Sequence, residues 1–380
     1  MLRICLGRVF KDVQMKLHRK PLVVVSASVA LAVLCVAITL SCRTVSAPAT
    51  TSIRPGAPLP RQGDEIVVCG QMFHTGASVV LWTDPGGYDG YRTERRFATF
   101  EDSSWERTRE LLTTGPKTPS RYNIRYTPPA TMPTTVPSLA GPGFNLSPAE
   151  LDKARAGWSL EDLRPRIDQF VLHYDVCGTS RQCFKVLHDL RGLSVHFMLD
   201  LDGTIYQTLD LKERAWHATT SNTRSIGIEI ANMGAYPTPT KNSMDEWYAK
   251  DAFGKTIIRI PGRFDGGGIR DQSVPLRPDR DGIVSGAIHG KTYFMYDLTP
   301  KQYESLTRLT ATLCTVFPNI KCDYPKDNQG RLITERLTDE QLAAYRGVLG
   351  HYHVQKDKQD PGPAMQWERV VGGARELMGK

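Results

Sequence analysis

Between residues 168 and 232 the chain alternates short β-forming apolar runs with one helical pattern, and this order constrains the fold more than any other feature. Q-F-V-L-H-Y (169–174) reads as a strand and residues 181–190 as a helix. V-H-F-M-L-D and T-I-Y-Q-T-L form a hairpin across L-D-G, and S-I-G-I-E-I-A-N (225–232) is a further strand. Thr299 caps a helix whose first position is Pro300 and which runs to about Phe317. V-L-G-H-Y-H-V (348–354) is read as the last strand, and residues 363–378 as a closing amphipathic helix. Strands interleaved with helices predict an α/β domain, a mixed central β-sheet flanked by helices, over residues 151–380. Residues 233–296 interrupt it with G-G-G and R-P-D-R-D-G and read as an insertion without regular elements.

Ahead of this domain, residues 64–115 predict a small β-rich module. E-I-V-V-C-G-Q-M-F and A-S-V-V-L-W-T are strand-like, H-T-G joins them, and D-P-G-G-Y-D-G-Y follows as turn chemistry. Residues 116–150 hold 8 of the chain's 25 prolines, which excludes regular structure and predicts a linker. At its end S-P-A-E (147–150) has the form of a capping-box helix start. Residues 44–63, rich in Ser, Thr, Pro and Gly, suit a flexible tether.

Residues 1–43 are set apart by charge. Six basic side chains stand against Asp12 in the first 20 residues, and Leu22 opens a run of 19 uncharged residues ending at Leu40. As a helix that run spans about 28 Å at roughly 1.5 Å per residue. It therefore fits a cleaved export signal or a transmembrane anchor, and T-L-S-C ending at Cys42 adds a lipoprotein cleavage box as a third option. These 20 residues supply +5 of the formal +8, and the remainder is too weakly basic to argue for nucleic acid. The expected setting is the cell envelope, periplasmic or outer-membrane-associated, with membrane contact through this segment or a lipid on Cys42.

Seven of the nine histidines lie between 173 and 353. His173 ends a strand, His351 leads into a loop dense in charge, and Asp360 follows nine residues later at the brake P-G-P. Two imidazoles and a carboxylate with an open fourth position are the pattern of a catalytic zinc. His353 is two residues from His351; on a strand it shares that face, which leaves it as an alternative ligand, a partner behind a ligand or a substrate contact.

Together, F-V-L-H (170–173), V-H-F-M-L-D-L-D-G-T-I-Y-Q, R-A-W-H-A (214–218), N-T-R-S-I-G-I-E-I (222–230) and G-H followed by K-Q-D-P-G-P resemble the type 2 N-acetylmuramoyl-L-alanine amidases, the family that includes phage lysozyme-type amidases and peptidoglycan recognition proteins. The resemblance covers roughly residues 168–367. It implies that His173, His351 and Asp360 hold Zn2+, that Glu229 is the general base, and that Lys358 stabilises the oxyanion. It places His217 and Asn222 along the substrate cleft, and it implies a disulfide between Cys177 and Cys183. Where some members carry a tyrosine before the hairpin histidine this chain has Val195, which puts the burden on Glu229. The implied activity is zinc-dependent hydrolysis of the amide between N-acetylmuramic acid and L-alanine in peptidoglycan or muropeptides. The alternatives are a non-catalytic peptidoglycan-binding protein and a zinc amidase for a different amide.

Overall fold

The computed structural model describes residues 55–56, 59–91, 159–273 and 275–379. The expected signal or anchor, most of the tether, the 116–150 linker and the helix start at 147–150 lie outside these residues. No described helix is long and apolar enough to cross a membrane.

A six-stranded sheet organises the domain. Its strands are β3 (Val79–Leu81), β4 (Gln169–Tyr174), β5 (Phe197–Leu199), β6 (Ile205–Gln207), β7 (Ser225–Ile230) and β12 (Gly347–Gly350). They lie side by side in the order β12-β4-β7-β5-β6-β3. All neighbours pair parallel except the hairpin β5–β6. The mixed sheet flanked by helices is the fold expected. The N-terminal strands are present too: β1 (Glu65–Val68) and β2 (Gln71–His74) form a hairpin turned at Cys69 and Gly70, which splits the first expected strand in two. β3 adds itself to the central sheet beside β6.

Alternation along each strand sorts side chains onto two faces. Phe170 and Leu172 of β4, Ile226, Ile228 and Ile230 of β7, Val348 of β12 and Val79 and Leu81 of β3 enter one large core. That core is closed by α4 (Pro300–Val316) and α7 (Trp367–Leu377), through Tyr303, Leu306, Leu309, Leu313, Val370 and Val371. α4 starts where the sequence places it: Thr299 accepts from Gln302 N, the Gln302 side chain returns to the Thr299 backbone, and Pro300 occupies the first turn. On the opposite face α2 (Ser180–Phe184), continued as a π-helical stretch over Lys185–Leu190, packs Cys183 and Phe184 against Val80, Met198 and Tyr206. This second face also carries His173 and Glu229.

Two sequence readings are corrected. β12 stops at Gly350, and His351–Val354 form a helical turn, α6. His351 and His353 therefore do not share a strand face. Residues 233–296 are built, not featureless. They contain α3 (Met244–Trp247), the hairpin β8–β9 (Tyr248–Lys250, Thr256–Ile258) and the hairpin β10–β11 (Ile283–Ile288, Lys291–Tyr296). Met233, Met244, Trp247, Tyr248 and Ile258 give this region its own apolar cluster. A scattered apolar pattern broken by Gly and Pro concealed these short elements.

Candidate active site

Parallel register sets His173 directly beside Glu229, since the two are partners between β4 and β7. Both point away from the α4–α7 layer. On the other side of β4, β12 pairs with it through Gly350↔Leu172 and then turns into α6, which brings His351 alongside His173. The chain returns at Asp360, whose backbone oxygen accepts from Tyr352 N at 3.2 Å. Gly350 allows this return: a Cβ there would stand 2.7 Å from Pro361 Cδ.

Three donor atoms converge. His173 Nδ1 lies 3.0 Å from His351 Nδ1 and 2.8 Å from Asp360 Oδ2, and His351 Nδ1 lies 2.9 Å from the same Oδ2. All three residues are buried. Donor atoms around a tetrahedral zinc stand about 3.3 Å apart, so the triangle is within about half an ångström of what such an ion requires. The protonation states fit as well. His351 Nε2 faces the side-chain carbonyl oxygen of Gln355 at 2.7 Å, an acceptor, so Nε2 donates there and Nδ1 is the nitrogen turned to the triangle. Burial and the neighbouring His351 hold His173 down at about 4, so it is neutral at physiological pH. Burial works to raise Asp360, but His351 and His173 outweigh it and keep the carboxylate well below its ordinary range. Two imidazoles and one carboxylate make a donor set suited to a dication.

A cleft of about 840 Å³ opens in front of the triangle, and His173, Glu229, His351, Lys358 and Asp360 all line it. Burial pushes the Glu229 carboxyl well above the usual range, with Asp360 and Asp175 adding to the rise; a dication on the triangle would oppose this. Trp216 forms part of the wall, with the Arg214 guanidinium 4.5 Å above its ring centroid. His217 also borders the cleft, but its main attachment is behind His173: His173 Nε2 is 2.9 Å from His217 Nδ1, and His217 Nε2 is 3.2 Å from Ser225 Oγ. With the proton of His173 on Nε2, the chain His173–His217–Ser225 leaves Nδ1 bare for a metal. Gly227 makes room for that ring, since a Cβ there would meet His217 Nδ1 at 2.5 Å. Asn222 turns its carbonyl oxygen to the backbone N–H groups of His217 (3.0 Å) and Ala218 (2.6 Å), which fixes the loop carrying His217.

Cys177 and Cys183 are neighbours on the cleft wall, and burial together with the Cys177 sulfur raises the Cys183 thiol. Both are thiols here, so the implied bridge is not formed in this structure. His353 is turned away from the triangle: its Nδ1 accepts from Gly350 N at 2.8 Å and its Nε2 donates to Ile333 O at 2.7 Å. A helical turn, unlike a strand, separates residues two apart, and this removes His353 as a ligand. His196 is likewise structural, between Glu213 O and Gly227 N. His188 is buried, with Asp189 2.8 Å away and Phe184 stacked on its ring. Sequence reasoning missed Gln355 as the partner of His351; the i, i+4 spacing would have shown it had residues 351–354 been read as helical.

Fold and site together define an α/β domain with a His–His–Asp triangle that could hold a metal ion, set beside a carboxylate in a cleft. Residues 163–254 match the family model described as N-acetylmuramoyl-L-alanine amidase, so the segment bearing His173, His217, Asn222 and Glu229 is of that family's type. Three similar solved structures are further points of comparison. The N-acetylmuramyl-L-alanine amidase AmiD from E. coli, in complex with the substrate anhydro-N-acetylmuramic acid-L-Ala-D-gamma-Glu-L-Lys, is 19% identical over 55% of this chain and 58% of that one, with a TM-score of 0.31. The N-acetylmuramoyl-L-alanine amidase LysC from Clostridium intestinale URNW is 16% identical over 55% and 86%, TM-score 0.29. A selenomethionine derivative of AmpD is 18% identical over 55% and 87%, TM-score 0.28. The chain thus spans little more than half the length of the first of these. No curated protein matches the chain.

Proposed function

We propose that the protein is a zinc-dependent N-acetylmuramoyl-L-alanine amidase that cleaves the amide joining the lactyl group of N-acetylmuramic acid to L-alanine of the stem peptide. The observation that carries this reading is the buried triangle of His173 Nδ1, His351 Nδ1 and Asp360 Oδ2 with Glu229 on the adjacent strand. The amidase family match over residues 163–254 supplies the substrate class.

His173, His351 and Asp360 would hold the ion, which when bound supplies Lewis acidity toward water and a carbonyl oxygen. Glu229 takes the proton of the attacking water and passes it to the departing alanine nitrogen. Lys358, on the same cleft wall, offers an ammonium where negative charge develops on the carbonyl oxygen. His217 and Gln355 hold the two imidazoles in the tautomer that leaves Nδ1 free. Export to the cell envelope, by whichever of the three N-terminal routes operates, belongs to the same proposal because the polymer lies there.

Digestion of purified sacculi or soluble muropeptides tests the bond assignment. The expected product is a stem peptide with a new L-alanine amino terminus, identified by amine labelling and mass spectrometry. A new terminus at any other residue would make the protein an amidase of different specificity, and tight retention without cleavage would make it a binding protein.

A further inference from the structure

The hairpin β10–β11 lies against the loop that carries Lys358 and Asp360 along much of its length. Its two-residue turn is His289–Gly290, between the paired residues Ile288 and Lys291. Both turn residues have positive φ, 51° and 68°. Such turns favour Asn, Asp or Gly, and histidine, which enters the left-handed region more readily than most side chains, also serves there. What it gains is reach. His289 Nε2 donates to the backbone oxygen of Lys358 at 3.1 Å, while its backbone N–H donates to Thr334 O at 3.0 Å and its Nδ1 lies 3.2 Å from Glu335 Oε2. Further along the hairpin, Tyr293 Oη accepts from Gln359 Nε2 at 3.4 Å, and Met295 Sδ accepts from Ala364 N at 3.4 Å. Gly286 packs so closely on Pro363 that a Cβ would come within 2.8 Å.

We infer that His289 is a positioning residue for Lys358: a hairpin-turn side chain, far in sequence from the site, fixes the peptide that sets where the ammonium stands in the cleft. The inference rests on the reading of Lys358 as the oxyanion partner.

The test compares the full-length, zinc-loaded wild type with H289N, which suits the turn but stops short of the Lys358 carbonyl, and with H289Q, whose longer amide can donate to it. H289N is expected to keep its zinc affinity and thermal midpoint, to lower kcat about tenfold with KM nearly unchanged, and to raise hydrogen exchange of residues 355–362 by about threefold. H289Q is expected to recover most of the loss in both. Wild-type kcat in H289N, or a loss of zinc affinity equal to the loss of rate, would overturn the inference. Should the wild type not cleave muropeptides at all, the proposed function fails separately and exchange alone decides: unchanged protection of 355–362 in H289N rejects the role of His289, and increased exchange supports it.

Discussion

His173 stands inside a six-stranded sheet with β7 on one side and β12 on the other, whereas Asp360 hangs on a loop that no strand continues. The two reach the same triangle by different means. His173 is placed by backbone register and strand alternation, so its position is shared with every residue of β4. Asp360 and Lys358 are placed by particular contacts: Tyr352 N to Asp360 O, His289 to Lys358 O, and Gly286 and Met295 along Pro363 and Ala364. The difference teaches that one cluster of donor atoms can draw on a half set by sheet register and a half held by contacts from a distant hairpin.

The largest effect should come from the sheet-held half. His173→Ala is expected to weaken zinc binding by well over the roughly 100-fold typical of changes outside the ligand set, with the fold retained; unchanged zinc affinity by chelator competition would break the comparison at once. Glu229→Gln comes next: the strand still presents the side chain, zinc stays bound, and kcat should fall by about 10²- to 10⁴-fold. Turnover within a fewfold of wild type would remove Glu229 as the base. His217→Ala sharpens the sheet-held side further, because a residue bonded to His173 should lower zinc affinity by about 10- to 100-fold and leave KM nearly unchanged. A KM increase with intact zinc affinity would instead make His217 a substrate contact. The smallest change is expected from His353→Ala, which keeps zinc but leaves Gly350 N–H and Ile333 C=O without their partner, at a cost of about 1–3 kcal/mol in stability. Loss of zinc there would reverse the choice of His351 over His353.

The same contrast explains what could be read from the sequence. β4, β7, the β5–β6 hairpin and α4 were legible because their apolar periodicity, the L-D-G turn and the Thr299–Pro300 start are local signals. His173, His351 and Asp360 could be picked out from their placement, and the resemblance assigned the roles of Glu229 and Lys358. The turn at Gly350 was not legible, because V-L-G-H-Y-H-V has the composition of a strand and only the pairing of β12 with β4 shows where it ends. Nor could the support of the loop be read. Residue 289 is separated from 358 by β11, the whole of α4, α5 (Asp339–Ala344), β12 and α6, and no periodicity links a hairpin turn to a carbonyl that far along the chain. The addition of β3 to the sheet is hidden for the same reason, since its partner β6 lies more than a hundred residues away.

Titrating zinc into the metal-free chain while following amine release from a soluble muropeptide measures the joint claim that these side chains bind one ion and use it. The account predicts no release without metal, a linear rise to one equivalent per chain, and a plateau beyond it. Undiminished cleavage by the metal-free protein, or one equivalent tightly bound with no cleavage, would contradict it.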